Sequence, residues 1–134
     1  MSEPPVTDET SRGELEKLQG TWRTVAVEVD SLPVSSWLYE NATLVIAGDR
    51  FTLRNLLPDA DQRMEGVLRL DARKVPKELN LALDGGRTFE EIYELEENSL
   101  RVCYPIGGGR RPTEFKIAPQ SGLSVVVYKR ESRP

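Results

Sequence analysis

The segment LQGTW, residues 18–22, marks the point where the chain changes from helical to extended periodicity. Before it, apolar residues three positions apart share one face of a short helix predicted over residues 9–18. Ser11 and Glu14 have the spacing of a capping box at the start of that helix, and Gly20 is a natural residue to end it. The last residue of the segment, Trp22, begins a valine-rich run typical of a strand. We therefore predict one short N-terminal helix followed directly by the first strand.

Short runs rich in Val, Leu, Ile, Tyr and Phe follow, and Gly, Asn or Asp lies between many of them. Several runs alternate apolar and polar residues, which is typical of antiparallel strands with one buried side. The predicted strands cover residues 21–29, 42–46, 50–54, 63–70, 78–83, 88–95, 99–104, 113–117 and 123–130. Closure of such a meander into a barrel removes its exposed edges. We predict an all-β, antiparallel up-and-down barrel of eight to nine strands, with a β-sandwich as the alternative.

Length and charge limit the number of domains and the kinds of partner. A chain of 134 residues is expected to form one domain, here over residues 8–134, after a Pro- and Glu-rich N-terminus that we predict to be disordered over residues 1–7. The net charge of -4 argues against nucleic acid and against an anionic membrane surface. The N-terminus lacks the features of a secretory signal, so we expect a cytoplasmic protein.

The chain contains no histidine and one cysteine, Cys103. An intrachain disulfide is therefore excluded, and the commonest metal ligand and general base are both absent. The adjacent acids Glu90 and Glu91 could imitate an acid/base couple, but strand alternation places one of them outside the barrel. We predict no metal site, no cofactor and no enzymatic activity, and we interpret Cys103 as a small buried apolar residue.

Closure of the barrel would bring the first and last strands together. Trp22 near the start of one strand and Arg130 near the end of the other can then meet, with the guanidinium over the indole. A tryptophan at this position would also fill one end of the barrel with a large apolar side chain. We therefore predict that Gly20, Trp22 and Arg130 have a structural role in barrel closure.

Gly20, Trp22 and Arg130 resemble the lipocalin signature, a Gly-x-Trp motif with a closing arginine. Nearly the whole chain is similar to a planctomycete-type lipocalin-like domain family of unknown function, although it has Asn80 where that family usually has an acid and Glu91 where it commonly has Gly. The similar segments are LQGTW (18–22), LDARKVPKELNL (70–81), IYELEENSLRVCY (92–104), RPTEF (111–115) and VVVYKR (125–130). The resemblance implies a calycin-type barrel and no particular activity.

A barrel of this size is either filled by its own side chains or holds one small ligand. In the first hypothesis the protein binds a small apolar or amphipathic molecule, in a pocket at the end opposite Trp22. The irregular segment 30–41, with Trp37 and Tyr39, would form its rim. Tyr128 and Arg130, two apart on one strand face, resemble the pair that captures carboxylates in fatty-acid carriers, a related barrel class.

In the second hypothesis the barrel is filled, and the protein is a non-catalytic interaction or structural domain that uses its outer surface. The last strand would point Leu123, Val125 and Val127 outward, and such an apolar stripe needs cover. We expect the leucines of the N-terminal helix to provide that cover; the alternative is cover by a second subunit, so the protein is either a monomer or a homodimer. The glycine-rich segment 107–112 is predicted to be a hairpin tip.

Overall fold

The structure is a computed structural model, and it describes residues 8–55, 63–106, 109–115 and 121–132. Residues 1–7, for which the sequence predicts disorder, lie outside the described residues. The elements in chain order are helix α1 (Glu9–Leu18), strand β1 (Gly20–Val29), strand β2 (Leu32–Pro33), a short 3-10 helix (Ser36–Leu38), and strands β3 (Thr43–Ala47), β4 (Arg50–Arg54), β5 (Arg63–Asp71), β6 (Lys77–Leu83), β7 (Thr88–Glu96), β8 (Ser99–Pro105) and β9 (Leu123–Ser132).

The strands form one antiparallel sheet that closes on itself. From β3 to β9 each strand pairs with the next, β1 pairs with β3, and β9 returns to pair with β1 along most of its length. Eight strands therefore make a closed barrel, and β2 adds a short ninth strand beside the end of β1. The predicted all-β barrel with an N-terminal helix is confirmed, with an architecture consistent with a lipocalin-like barrel. The sandwich alternative is wrong.

Eight of the nine predicted strands coincide with observed strands to within two residues at each end. The predicted strand at 113–117 is wrong for its described part, because residues 113–115 form bends. Of the hairpin tip predicted at 107–112, residues 107–108 lie outside the described residues. Residues 109–112 belong to the long connection between β8 and β9, which pair directly with each other. Arg111 anchors this connection on the barrel by donating to the backbone oxygens of Glu91 and Leu79, at 2.7 and 3.2 Å.

Helix α1 covers residues 9–18 as predicted, but its cap differs from the predicted one. The N-cap is Asp8, whose carboxylate accepts a hydrogen bond from the Ser11 backbone at 2.7 Å. Ser11 lies inside the helix, where its hydroxyl accepts from the Ala72 backbone at 3.0 Å. The capping-box prediction is therefore wrong, because Ser11 uses its side chain to attach the helix to the barrel. Neither helix in the described part of the chain has the length and apolar character needed to cross a membrane.

The outward apolar stripe on β9 is covered differently from the prediction. Leu15 and Leu18 of the helix pack with the interior core instead. On the outer face, Phe115 packs against a cluster formed by three neighbouring strands, and the members of that cluster are Ile92, Cys103, Val125, Leu123 and Val127. The connection between β8 and β9 therefore supplies cover that we predicted for the helix. Cys103 is buried in this cluster, and burial raises the pKa of its thiol.

Candidate functional site

One end of the barrel is filled around Trp22, whose side chain is 0% exposed. Its indole nitrogen donates to the Leu18 backbone oxygen at 2.8 Å, which joins the helix end to the first strand. Arg130 is the register partner of Trp22 on β9, and its guanidinium carbon lies 4.3 Å from the indole ring centre. The same guanidinium donates to the backbone oxygens of Gln19 and Lys17, at 2.7 and 2.5 Å. The predicted contact between Trp22 and Arg130 is therefore present.

The residues between helix and strand complete this closed end. The Gln19 amide group exchanges two hydrogen bonds with the Gly48 backbone, at 2.9 and 2.7 Å, which attaches the β3–β4 turn. Gly20 has a φ of 121°, a conformation that side chains other than glycine's rarely adopt. Glycine is thus required where the chain turns from the helix into β1. The helix ends at Leu18, and Gln19 is its C-cap.

The other half of the barrel encloses a cavity of about 390 Å³. Inward residues nearer the closed end, such as Ile46 and Tyr93, belong to the filled core, whereas Leu44 and Glu91 on the same strands line the cavity. Among the described residues that line it, thirteen are apolar and five carry a polar group: Thr24, Tyr39, Glu91, Tyr104 and Tyr128. A largely apolar cavity of this volume with a few convergent polar groups is typical of small-molecule sites.

Glu91 brings an ionisable carboxyl group to this cavity. Alternation along β7 points it inward between Phe89 and Tyr93, and its side chain is only 5% exposed. Among the described residues, none donates a hydrogen bond to its carboxylate oxygens. Burial raises the pKa of Glu91 to about 8, and the nearby positive charge of Arg111 opposes that shift.

Tyr104 and Tyr128 bring two hydroxyl groups to the same cavity. Burial raises the pKa of both tyrosines, and the negative charge of Glu91 acts in the same direction. A hydrogen bond with Ser124 partly offsets the shift at Tyr104. Within the described parts of the chain, no group is hydrogen-bonded to the Tyr128 hydroxyl. The cavity therefore combines one buried carboxyl with a buried hydroxyl that has spare hydrogen-bonding capacity.

The structure separates the four residues predicted to bind a ligand. Tyr39 and Tyr128 line the cavity, and the Tyr39 hydroxyl donates to the Val25 backbone oxygen at 3.4 Å. Trp37, on the 3-10 helix, is 62% exposed and does not line the cavity. Arg130 lies at the closed end and does not line the cavity, so the structure does not bring it together with Tyr128 there, and ligand capture by the pair stays a prediction. The Arg130 guanidinium is held at the closed end by the indole ring and the backbone oxygens.

Our interpretation of the sequence missed Glu91 as a candidate site residue. Alternation did place one member of the Glu90–Glu91 pair inside. In the run TFEEIYELE, Glu91 lies on the same strand face as three apolar or aromatic residues. A single acid on the inward face of a strand was therefore a usable signal. The sequence did not show that an unfilled space lies beside it.

Two depressions on the outer surface have larger volumes, about 550 and 730 Å³. Charged side chains line much of both, and several already have partners: Glu14 pairs with Lys77 at 2.6 Å, and Arg130 donates to backbone oxygens. Because charged and polar side chains line much of both grooves, the mainly apolar cavity inside the barrel is the better candidate site. In the parts of the chain that the structure describes, no three His, Cys, Asp or Glu side chains converge.

The cavity can hold an apolar body and offers a few oriented polar groups near it. Comparison of the chain with protein-family models, with curated proteins and with solved structures produced no match. The geometry of the cavity is consequently the basis for a functional proposal.

Proposed function

We propose that this protein binds a small apolar or amphipathic molecule inside its barrel. The observation that supports the proposal is the cavity of about 390 Å³, lined mainly by Val, Leu, Met and Phe side chains. Burial of a ligand's apolar surface against such a lining contributes about 25 cal/mol per Å². The few polar groups would fix the orientation of the ligand.

The alternative is a filled barrel that acts only through its outer surface. It requires interior side chains to occupy the space that the cavity leaves open. On the inward face of β1, the larger Trp22 fills the closed end, whereas the smaller Thr24 and Val27 border the cavity. This distribution favours the binding proposal over the interaction-domain alternative.

We also propose kinship with the lipocalin-like barrels. Three features support it: the eight-stranded closed meander, the short helix that leads into Gly20 and Trp22, and the stacking of Arg130 on that tryptophan. In this interpretation the closed end is structural and binding takes place at the other end. The lipocalin-like class supplies no ligand identity, which must come from the cavity itself.

Filling the cavity should abolish binding without unfolding the barrel. Val27 borders the cavity and is only partly buried, so Val27→Trp places a large side chain in the ligand's space. We expect at least a ten-fold loss of affinity for N-phenyl-1-naphthylamine, an uncharged apolar probe. The measurement is the rise in probe fluorescence during titration at neutral pH.

Glu28→Trp is the matched control, because Glu28 is the next residue on β1 and its side chain is exposed. This variant should bind the probe as the original protein does. If the original protein shows no saturable binding, or if both variants bind equally, the proposed site is wrong. If the two variants behave as expected, native mass spectrometry of the protein from its own host is the experiment that identifies the natural ligand.

A further inference from the structure

The Glu91 carboxyl group lies where its ionised form is energetically unfavourable. It lies in an apolar cavity, 5% exposed, and no described residue donates a hydrogen bond to its oxygens. Buried charges in proteins are normally paired, because the interior solvates them poorly. A buried acid that borders open space and has no hydrogen-bond donor among the described residues is therefore able to take its partner from a ligand.

Arg111 does not serve as that partner. It donates to the Glu91 backbone oxygen at 2.7 Å and to the Asn80 side-chain oxygen at 2.6 Å, and it also contacts Glu90 at 3.3 Å. Asn80 and Glu90 neighbour the cavity residues Leu79 and Glu91, so alternation directs their side chains outward. Arg111 thus stabilises a negative charge on Glu91 from a distance without filling the space in front of the carboxyl group.

The described groups that line the cavity with Glu91 on other elements are hydroxyls, which can donate or accept a hydrogen bond, aromatic rings and apolar side chains, and none of them is a cation. Tyr128 presents a hydroxyl without a described partner, and Tyr104 forms an edge-to-face pair with Phe89, with ring centres 6.3 Å apart. A primary ammonium group has three donors, which could reach the carboxylate and a tyrosine oxygen, and aromatic rings also attract cations. An ammonium group favours the ionised form of the Glu91 carboxyl and can pair with it, whereas an anionic head group disfavours that form and gains no ion pair there.

We infer that the cavity selects an amphipathic amine, with its ammonium group on the Glu91 carboxylate, Tyr128 as a second acceptor, and its hydrocarbon part against the apolar lining. This inference rests on the proposed function, since it names the class of ligand for the same cavity. The sequence predicted that Tyr128 and Arg130 bind the carboxylate of a ligand, whereas here a carboxylate of the protein binds the cationic group of a ligand. The reversal follows from the position of Arg130 at the closed end.

The test compares three probes of equal chain length: n-octylamine, 1-octanol and octanoate. Isothermal titration calorimetry at pH 7 should show that octylamine binds at least ten-fold more tightly than either of the other two. Glu91→Gln should weaken octylamine binding at least ten-fold and change octanol binding by less than three-fold, because only the ion pair is removed.

Glu94→Gln is the matched control: it makes the same substitution on the outer face of β7, where Glu94 pairs with Arg101 on the surface. It should leave all three affinities unchanged. Equal binding of the three probes, or a preference for octanoate, would overturn the amine inference while leaving the proposed function standing. If neither these probes nor the apolar fluorophore binds, the proposed function itself fails. The comparison among probes needs only the original protein, so it remains decisive if Glu91→Gln folds poorly.

Discussion

Replacing Trp22 with alanine is expected to lower the free energy of unfolding by about 3–5 kcal/mol, the range for a large aromatic side chain removed from a core. The indole is fully buried, donates to Leu18, and lies beneath the Arg130 guanidinium. The variant loses all three interactions and leaves a cavity at the closed end. Urea denaturation followed by circular dichroism measures the effect.

Trp37→Ala is the control, because Trp37 is 62% exposed and its truncation should change stability by less than about 0.5 kcal/mol. If Trp22→Ala prevents folding, Trp22→Phe retains most of the apolar volume and should show an intermediate loss. Arg130→Ala should also destabilise, by about 1–3 kcal/mol, since it leaves several backbone oxygens without their donor. Two-state unfolding with equal stabilities for Trp22→Ala and Trp37→Ala would refute the role of Trp22 in closing the barrel.

The protein is expected to lose stability as the pH rises from about 4.5 to about 8. In the folded state the pKa of Glu91 is raised to about 8, whereas an unfolded chain releases the same proton near 4.5. The folded state therefore holds more protons in this window, and the stability contributed by protonated Glu91 is complete below 4.5 and lost by about 8. Each pKa unit corresponds to about 1.4 kcal/mol, so the loss is on the order of 3–5 kcal/mol.

Glu91→Gln should remove most of this slope, because glutamine does not ionise. Urea midpoints at pH 5, 6, 7 and 8 for both proteins measure the difference, and Glu94→Gln should follow the original protein. The chain has no histidine, so no imidazole titrates in the window. Asp8 and Asp71 have lowered pKa values, so any stability that they contribute is lost in more acidic solution, outside this window. Parallel pH profiles for the original protein and Glu91→Gln would show that Glu91 is not buried as an unpaired acid.

The barrel could be predicted because its signals are local. Alternation of period two identified eight strands, and closure of a meander necessarily brings its first and last strands together, which predicted the Trp22–Arg130 contact. The alternation at Thr113 and Phe115 was misleading. Phe115 is apolar because it packs on the outer cluster, and the segment is held by Arg111 on distant strands. Such long-range anchoring leaves no periodic trace in the sequence.

The site was predicted less completely than the fold. Trp37 and Tyr39 are two residues apart, yet only Tyr39 lines the cavity, and irregular backbone around the 3-10 helix decides this. Glu91 could be assigned to the interior from alternation alone. Its importance depends on an empty volume, and that volume depends on how side chains from many strands fill the barrel together.

The most direct test of a ligand-accepting carboxyl group in the cavity is a ¹³C NMR titration of glutamate side-chain carboxyl carbons. The Glu91 signal is assigned as the one missing from Glu91→Gln, and it is followed with and without octylamine. In the free protein Glu91 should titrate well above 4.5, near pH 8, and saturating octylamine should lower its pKa because an ammonium partner favours the carboxylate. A Glu91 signal that titrates near 4.5 and does not respond to octylamine would contradict both the buried unpaired acid and its role as the binding group.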